Sequence, residues 1–265
     1  DFKGRAVSWV LAGGLFAAFL GPQLVILTKD LMPPYLFAAS YLGQAATAVC
    51  AMVVLGLVRA PGHAAPRAVG RARSLGEIAR QPRFIVAVTC GVASYSLMNL
   101  MMTSAPLAMV DCGHSVGDAT LGIQWHVLAM FAPSFVTGAL VGRFGAVPIV
   151  AAGLALLALS AAVGFAGITV SHFWTALVLL GVGWNFAFVG ATAMVIDCYR
   201  PEERNKVQAF NDFLIFGTMA LGSFASGAML AHFGWYVVNL VMLPVVAVAG
   251  VMLAWLAVRE RMRLA

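Results

Sequence analysis

The chain carries very little charge. Only 10% of its 265 residues are Asp, Glu, Lys or Arg, whereas 62% are hydrophobic, and the mean hydropathy is +0.94. A soluble domain of this length needs far more polar surface to cover its core. The scarcity of charge therefore excludes an ordinary soluble protein and predicts an all-α membrane protein, built as a bundle of membrane-crossing helices.

The residue patterns of common catalytic and metal sites are also missing. The sequence contains no G-x-S-x-G, no H-E-x-x-H and no glycine-rich phosphate loop. Its four cysteines show no C-x-x-C or Cys/His metal spacing, so we interpret them as buried free thiols. They are Cys50, Cys90, Cys112 and Cys198. We therefore expect no catalytic residues, no bound metal and no cofactor.

The net charge of +6 does not indicate a nucleic-acid partner. The basic residues fall in short gaps between apolar runs, and they are neither gathered on one helical face nor interleaved with stacking aromatics. The partner that this distribution predicts is the lipid bilayer.

Eight stretches are long and apolar enough to cross a bilayer, which takes about 20 residues. They lie near 7–28, 35–58, 84–110, 122–141, 147–168, 172–197, 208–231 and 234–258. The fourth stretch is the least regular, because it contains Gln124, His126, Pro133 and Ser134.

The basic residues test this span count independently, since positive charge is retained on the cytoplasmic side of short loops. With the first residue inside, 15 of the 16 lysines and arginines fall in cytoplasmic segments, and only Lys29 falls outside. Both termini of the chain are then cytoplasmic. We expect an integral protein of the plasma membrane, which is the inner membrane in a bacterium.

The gap at 59–83 differs from the others, because it is long, basic and rich in Pro, Gly and Ala. It separates two spans from six and predicts three parts, namely 1–58, a cytoplasmic central loop at 59–83, and 84–265. At the end of the loop, Ser74 and Glu77 have the spacing of a capping box, which predicts a short surface helix.

Two connectors carry patterns of a known family. The sequence G-A-L-V-G-R-F-G at 138–145 resembles the G-x-L-x-D-R-x-G signature of the major facilitator superfamily, with Gly142 in place of the Asp. Its glycines permit a tight turn, and Arg143 can bridge to acids of neighbouring helices. The sequence R-P-E-E-R at 200–204 resembles the acidic-basic loop before the eleventh helix of that family.

The first span adds a partial match to the family's antiporter-associated motif on its fifth helix. Gly13, Ala17 and Gly21 are spaced by four, which places three small residues on one face for close helix packing, and Pro22 follows with an expected bend. Because the match is partial, we do not infer antiport from it.

The resemblance implies an architecture of two six-helix bundles joined by a long cytoplasmic loop, with the solute held between them. On that plan the eight spans correspond to helices five to twelve. Residues 1–58 would be a remnant of the N-terminal bundle, and 84–265 would form a complete C-terminal bundle. We therefore expect the chain to be a fragment, with the first four helices absent.

The same resemblance implies secondary active transport of a small organic solute by alternating access, in a protein that is monomeric at full length. It leaves the coupling ion, a proton or another, and the direction open. The alternative is an eight-span membrane scaffold or membrane-embedded enzyme without transport activity.

Six polar or aromatic residues inside the spans are candidates for lining a solute cavity, because polar groups that face lipid are costly. They are Tyr95, Asn99, His126, Trp184, Asn185 and Phe188. Tyr95 and Asn99 share one face of the third span, and an aromatic surface beside an amide suits a flat organic solute. Interhelical hydrogen bonds and ordinary packing are the alternative explanation for all six.

Six charged residues are candidates for gating or for a charge network. They are Arg143, Asp197, Glu202, Glu203, Arg204 and Asp212. The acids at 197, 202 and 203 are the expected partners of Arg143. Asp212 lies near the start of the seventh span, where the positive end of the helix dipole would stabilise its carboxylate, and a coupling or gating role is the alternative.

Overall fold

The computed structural model describes residues 2–58 and 72–264, with side chains for 12–58 and 72–263. Its helices are α1 (Phe2–Thr28), α2 (Ala38–Leu57), α3 (Leu75–Ala79), α4 (Pro82–Asp111), α5 (Val116–Phe131), α6 (Ser134–Phe144), α7 (Ala146–Ala166), α8 (Val170–Ile196) and α9 (Arg204–Leu264), with a 3-10 turn at Pro201–Glu203. No strand occurs in these ranges. The predicted all-α class is confirmed.

The helices correspond to the eight predicted spans. Five spans are single helices, and the fourth is divided into α5 and α6 around Pro133. The last two spans are the two arms of α9, which meet at Gly234 with φ 74°. We call residues 204–233 the first arm and 235–264 the second arm. Six helical stretches of the described chain are long and apolar enough to cross a membrane, and the last of these contains both arms.

The helix ends gather on two sides of the bundle. On one side, Arg83 at the start of α4 contacts Asp197 at the end of α8 and Glu260 near the end of α9. We call this side the basic face. On the other side, His114 Nε2 lies 2.7 Å from the Ile168 carbonyl, which joins the α4–α5 and α7–α8 connectors.

Helix α8 is the central element, because it contacts α4, α5, α6 and α7. Its tightest crossing is with α7, where glycines let the two backbones approach. A Cβ added at Gly153 would lie 2.3 Å from the Ala187 backbone nitrogen and 2.7 Å from the Gly183 carbonyl. Leu157, buried in the same interface, extends this packing along α7. The crossing fixes the position of α8 relative to α7, and α4, α5 and α6 pack against the helix in that position.

Helix α1 packs along α5, through a face adjacent to the one expected from its small residues. Ala18 is buried, and Gln23 Nε2 donates to Gln124 Oε1 at 2.7 Å. The predicted packing positions, Gly13, Ala17 and Gly21, are exposed instead, and Pro22 is half-buried. The face that packs was decided by the position of α5, which spacing along α1 does not contain.

Two local predictions are confirmed near the basic face. Gly145 forms a one-residue turn between α6 and α7 with φ 86°, a conformation that favours glycine. Ser74 and Glu77 form the capping box of α3. Residues 59–71 of the predicted central loop lie outside the described residues.

The thiols are only partly as expected. Cys90 and Cys198 are buried, but Cys50 and Cys112 are exposed, so the prediction of burial is wrong for the latter two. Cys50 lies on α2, which packs mainly against α1 among the described helices, and Cys112 lies in the connector that ends α4.

Candidate functional site

Four aromatic side chains from three helices meet halfway along the bundle. They are Tyr95 on α4, Trp184 and Phe188 on α8, and Phe216 on the first arm of α9, and we call them the aromatic cluster. The Tyr95 ring is edge-on to the other three, at centroid distances of 5.5, 5.1 and 5.4 Å. Trp184 and Phe188 are stacked at 5.2 Å with 12° between their planes.

Helix periodicity explains part of this arrangement. Trp184 and Phe188 are four residues apart and therefore share one face of α8. Edge-to-face and stacked pairs each contribute about 0.5–1.5 kcal/mol beyond the area that they bury. The cluster is therefore a preformed aromatic surface whose rings hold one another in place.

One side of the aromatic cluster is closed and the other is open. Trp184 is only 7% exposed, and its indole N–H has no acceptor among the described residues. Tyr95 is half-buried, whereas Phe216 is 45% exposed. The open side continues along the first arm with Phe213, which is 72% exposed. A further flat ring can therefore reach the cluster from the open side.

A polar pair lies beside the cluster, on α4 and on the first arm of α9. Asn99 Nδ2 donates to Ser223 Oγ at 2.6 Å. Asn99 follows Tyr95 by one turn of α4, and Ser223 follows Phe216 by about two turns of α9. Ser223 is exposed, so the pair belongs to the open side. Sequence reasoning missed Phe216 and Ser223, although their spacing of seven places them on one helix face.

Asn185 has different surroundings, although it is adjacent to Trp184 in the sequence. It is fully buried, and its Nδ2 donates to the Met130 carbonyl at 2.7 Å and to Ser134 Oγ at 2.6 Å. Its Oδ1 accepts from Thr137 Oγ1 at 2.6 Å. The last carbonyls of a helix lack backbone donors, and Pro133 has no N–H to supply one. The structure therefore joins Asn185 to the break between α5 and α6.

His126 is fully buried between α5 and α8. Its Nδ1 lies 2.8 Å from the Leu177 carbonyl, and its Nε2 has no partner among the described residues. Leu177 precedes Trp184 by seven residues, which is about 10 Å along α8. A Cβ at Gly181 would lie 2.6 Å from the His126 carbonyl, so the two helices are in close contact here.

The charged candidates on the basic face have partners other than those expected. Arg83 donates to Asp197 at 2.8 Å and to Glu260 at 2.7 Å. Arg143 is exposed, lies over the Phe144 ring at 5.2 Å, and makes no ion pair within the described ranges. Arg83 is placed beside Asp197 by the contact between α4 and α8, a proximity that no local spacing reveals.

Glu203 is the most completely paired acid of the described chain. It is fully buried, and Arg73 donates to both carboxylate oxygens, from Nε at 3.0 Å and from Nη2 at 2.7 Å. The backbone N–H groups of Arg73 and Arg200 donate to it as well, at 2.7 and 2.9 Å. Arg73 also donates to the Cys198 carbonyl at 3.1 Å and accepts from Lys206 Nζ at its own carbonyl. We call Arg73, Cys198, Glu203 and Lys206 the linker clamp.

The linker clamp also determines the protonation of its carboxylate. The hydrogen bonds from Arg73 lower the pKa of Glu203 to about 2, although burial acts in the opposite direction. In return, the hydrogen bond to Glu203 raises the pKa of Arg73. Glu203 is therefore an anion across the physiological pH range. It holds the end of the central loop, at Arg73, against the connector between α8 and α9.

Three further charged candidates are more exposed. Glu202 is half-buried and Arg204 is exposed at the end of the 3-10 turn. Asp212 is exposed, and the prediction that it lies at a helix N-terminus is wrong, because α9 begins at Arg204. The apolar run that marks the span starts later than the helix itself, which leaves Asp212 in the third turn.

Known proteins match this chain over most of its length. Residues 90–264 match the family model of the Major Facilitator Superfamily. The riboflavin transporter RfnT of Brucella anthropi is 55% identical over 249 residues, which cover 93% of this chain and 63% of that protein.

Two proteins of Bacillus subtilis are more distant relatives. The uncharacterized MFS-type transporter YddS is 30% identical over 92% of this chain and 62% of its own length. The uncharacterized MFS-type transporter YdeG is 29% identical over 90% of this chain and 59% of its own length. The chain thus spans about three fifths of the length of these relatives.

The family model covers about two thirds of the chain, and the matched region contains both connector motifs and most of the helices that form the aromatic cluster. Six helical stretches of the described chain have the length and apolar composition of membrane spans. This chain is an integral membrane protein and belongs to the major facilitator superfamily.

Proposed function

We propose that this chain forms two helices of one bundle and the whole C-terminal bundle of a secondary active transporter, which moves a small organic solute by alternating access. The aromatic cluster is the observation that carries the proposal. It lies halfway along the helices, where transporters of this type hold their solute between two bundles. Its open side, at Phe216, is where we propose that the second bundle completes the cavity.

The chemistry of the cluster favours a planar heteroaromatic solute. Aromatic rings attract another ring in edge-to-face or offset-stacked geometry. The polar pair beside the cluster is neutral, with an amide on Asn99 and a hydroxyl on Ser223. Riboflavin is a neutral tricyclic ring system with a sugar-alcohol chain, and it is the solute named for the relative that is 55% identical. We propose a flavin or a closely similar ring system as the solute.

The charge distribution supports an orientation. Arg73, Arg83, Arg143 and Arg204 all belong to connectors or helix ends of the basic face. Because basic residues are retained in the cytoplasm, we place this face inside and propose the bacterial inner membrane as the location.

Uptake of labelled riboflavin tests the proposal. The complete reading frame that encodes this chain is expressed in bacteria that neither make nor import riboflavin, and the initial uptake rate is measured at low concentration. We expect uptake, and we expect Phe216→Ala to reduce it by up to about tenfold, since one aromatic contact is removed. The matched control is Phe233→Ala, another exposed phenylalanine of the same arm, which lies away from the cluster.

Each result bears on the proposal. No uptake by a wild-type protein that is correctly inserted would contradict it and favour the scaffold or enzyme. If both substitutions reduce uptake equally, the aromatic cluster does not bind the solute.

A further inference from the structure

The polar pair beside the aromatic cluster has hydrogen-bonding groups that the described chain does not use. The Asn99 amide N–H donates to Ser223 Oγ at 2.6 Å, which uses one donor of the amide and one lone pair of the hydroxyl. The Asn99 Oδ1 atom accepts no hydrogen bond, and the Ser223 hydroxyl donates to no acceptor, within the part of the chain that the structure describes. The pair therefore offers an acceptor, Asn99 Oδ1, and a donor, the Ser223 hydroxyl, and the second N–H of the Asn99 amide is a further donor.

The neighbouring hydroxyls do not form hydrogen bonds with the side chains of Asn99 and Ser223. Thr103 Oγ1 donates at 2.8 Å to the backbone carbonyl of Asn99, not to its side chain. Ser226 Oγ donates at 2.8 Å to the backbone carbonyl of Ser223. Both hydroxyls are satisfied within their own helices and do not compete for the side-chain oxygens of the pair.

The pair lies where it can contact the edge of a ring that stacks on the aromatic cluster. Asn99 is four residues beyond Tyr95, so the two side chains are neighbours on one face of α4. Ser223 and Phe216 are seven residues apart and share a face of the first arm. The open side therefore combines a surface for the plane of a ring with a donor and an acceptor for its edge.

We propose that Asn99 and Ser223 are the specificity-determining residues of the solute site, and that they bind a ring edge with an N–H group next to a C=O group. In that complex the ring N–H donates to Asn99 Oδ1, and the Ser223 hydroxyl donates to the ring C=O. Cyclic amides and imides have this edge, and so does the pyrimidine end of a flavin. This inference rests on the proposed function and adds the part of the solute that is recognised.

Such a pair discriminates more strongly than an apolar wall. A site that is built to hydrogen-bond a polar group rejects the analogue that lacks it, because its own polar groups are then left without partners. Methylation of the imide nitrogen removes the donor and adds bulk at the same position. The structure therefore predicts discrimination against the N3-methylated ring.

Competition for riboflavin uptake measures this discrimination. The competitors are unlabelled riboflavin, 3-methylriboflavin and lumiflavin, which keeps the imide but lacks the sugar-alcohol chain. In the wild-type protein we expect 3-methylriboflavin to compete about tenfold or more less effectively than riboflavin, and lumiflavin to compete nearly as well as riboflavin.

The variants test the two residues. We expect Asn99→Ala and Ser223→Ala to make riboflavin and lumiflavin roughly three- to tenfold less potent as competitors. The potency of 3-methylriboflavin should change little. The concentration of 3-methylriboflavin that halves uptake, divided by the corresponding concentration of riboflavin, then falls towards one. Ser226→Ala is the matched control, because it removes a hydroxyl one turn further along the same helix, and we expect its ratio to equal that of the wild type.

A change in this ratio cannot come from reduced folding alone, because misfolding lowers uptake without altering the relative potency of two competitors. If the wild-type protein takes up riboflavin, and riboflavin and 3-methylriboflavin compete for that uptake equally well, this inference is overturned and the proposed function stands. If 3-methylriboflavin stays discriminated against in both variants, the pair does not determine specificity. Failure of the wild-type protein to take up riboflavin overturns both proposals.

Discussion

At the scale of single residues, the linker clamp shows how a charge is held at the edge of the bundle. A buried carboxylate without partners is strongly unfavourable, but the oxygens of Glu203 accept from Arg73 and from the backbone of Arg200. Sequence reasoning selected Glu203 and Arg143 as candidates from one pair of motifs. The structure adds Arg73 as the partner of Glu203. Because Arg73 lies 130 residues earlier in the chain, no local pattern of the sequence predicts this contact.

The stability that Glu203 contributes should depend on acidity. Because its pKa is lowered from 4.5 to about 2, the contribution is fully present above pH 4.5 and is lost as the pH falls towards 2. We expect the melting temperature of the purified protein to fall between about pH 4.5 and pH 2. Glu203→Gln should lower it at neutral pH and remove most of this dependence.

The neighbouring acid provides the control for this measurement. Glu202 is half-buried and has no ion pair within the described residues, so Glu202→Gln should keep the pH profile of the wild type. Equal profiles for Glu203→Gln and the wild type would show that the linker clamp does not stabilise the fold.

At the scale of helices, close packing depends on a few positions without side chains. The backbones of α7 and α8 approach at Gly153 and Gly183, and a Cβ at Gly153 would collide with backbone atoms. A flexible side chain could move away from such a contact, but a helix backbone cannot. Because α4 packs against α8, the meeting of Tyr95 with Trp184 and Phe188 depends on where this crossing places α8.

Substitution of Gly153 separates helix propensity from packing. Alanine favours a helix over glycine by about 1 kcal/mol, whereas overpacking costs about 1–3 kcal/mol. Because a Cβ here would lie 2.3 Å from a backbone nitrogen, we expect the packing cost to dominate and Gly153→Ala to lower the melting temperature in detergent. Gly250→Ala, where no atom lies within 4 Å of the added Cβ, should be neutral or stabilising. A Gly153→Ala protein as stable as the wild type would contradict the close approach.

The break between α5 and α6 illustrates a related limit at the same scale. Pro133 in the sequence predicts an irregular fourth span, and the helix is indeed interrupted there. What stabilises the interruption is Asn185, from another helix, with hydrogen bonds to both sides of the break. Its side chain fits the break because α8 packs against both segments.

At the scale of the whole molecule, the two ends of the helix bundle differ in charge, because the arginines gather on the basic face. Arg73 and Arg83 are held by acids of the basic face, whereas the other face carries the connectors around His114 and Ile168. This asymmetry supports the proposed orientation and does not depend on the identity of the solute.

Reporter fusions test the orientation. A reporter that is active only outside the cytoplasm should give signal when fused within the 112–115 or 167–169 connectors, and none when fused within 59–83. Signal from all three positions would contradict the orientation and the pairing of helices that follows from it. A fusion after residue 264 should resemble the 59–83 fusion and serves as the internal control.

The sequence by itself determined the class, the number of membrane spans, the turn at Gly145 and the capping box of α3. Each of these follows from the burial of apolar residues or from backbone geometry over a few neighbouring positions, which a linear pattern contains.

Only the tertiary structure decided which side chains meet. Asn99 and Asn185 have similar mid-span positions, yet the first pairs with Ser223 on the open side and the second holds the α5–α6 break. Phe216 joins the aromatic cluster because the first arm of α9 turns that face towards Tyr95 on α4. The rotation of one apolar helix against another depends on packing over its whole length, and a sequence that is apolar on every side does not specify it.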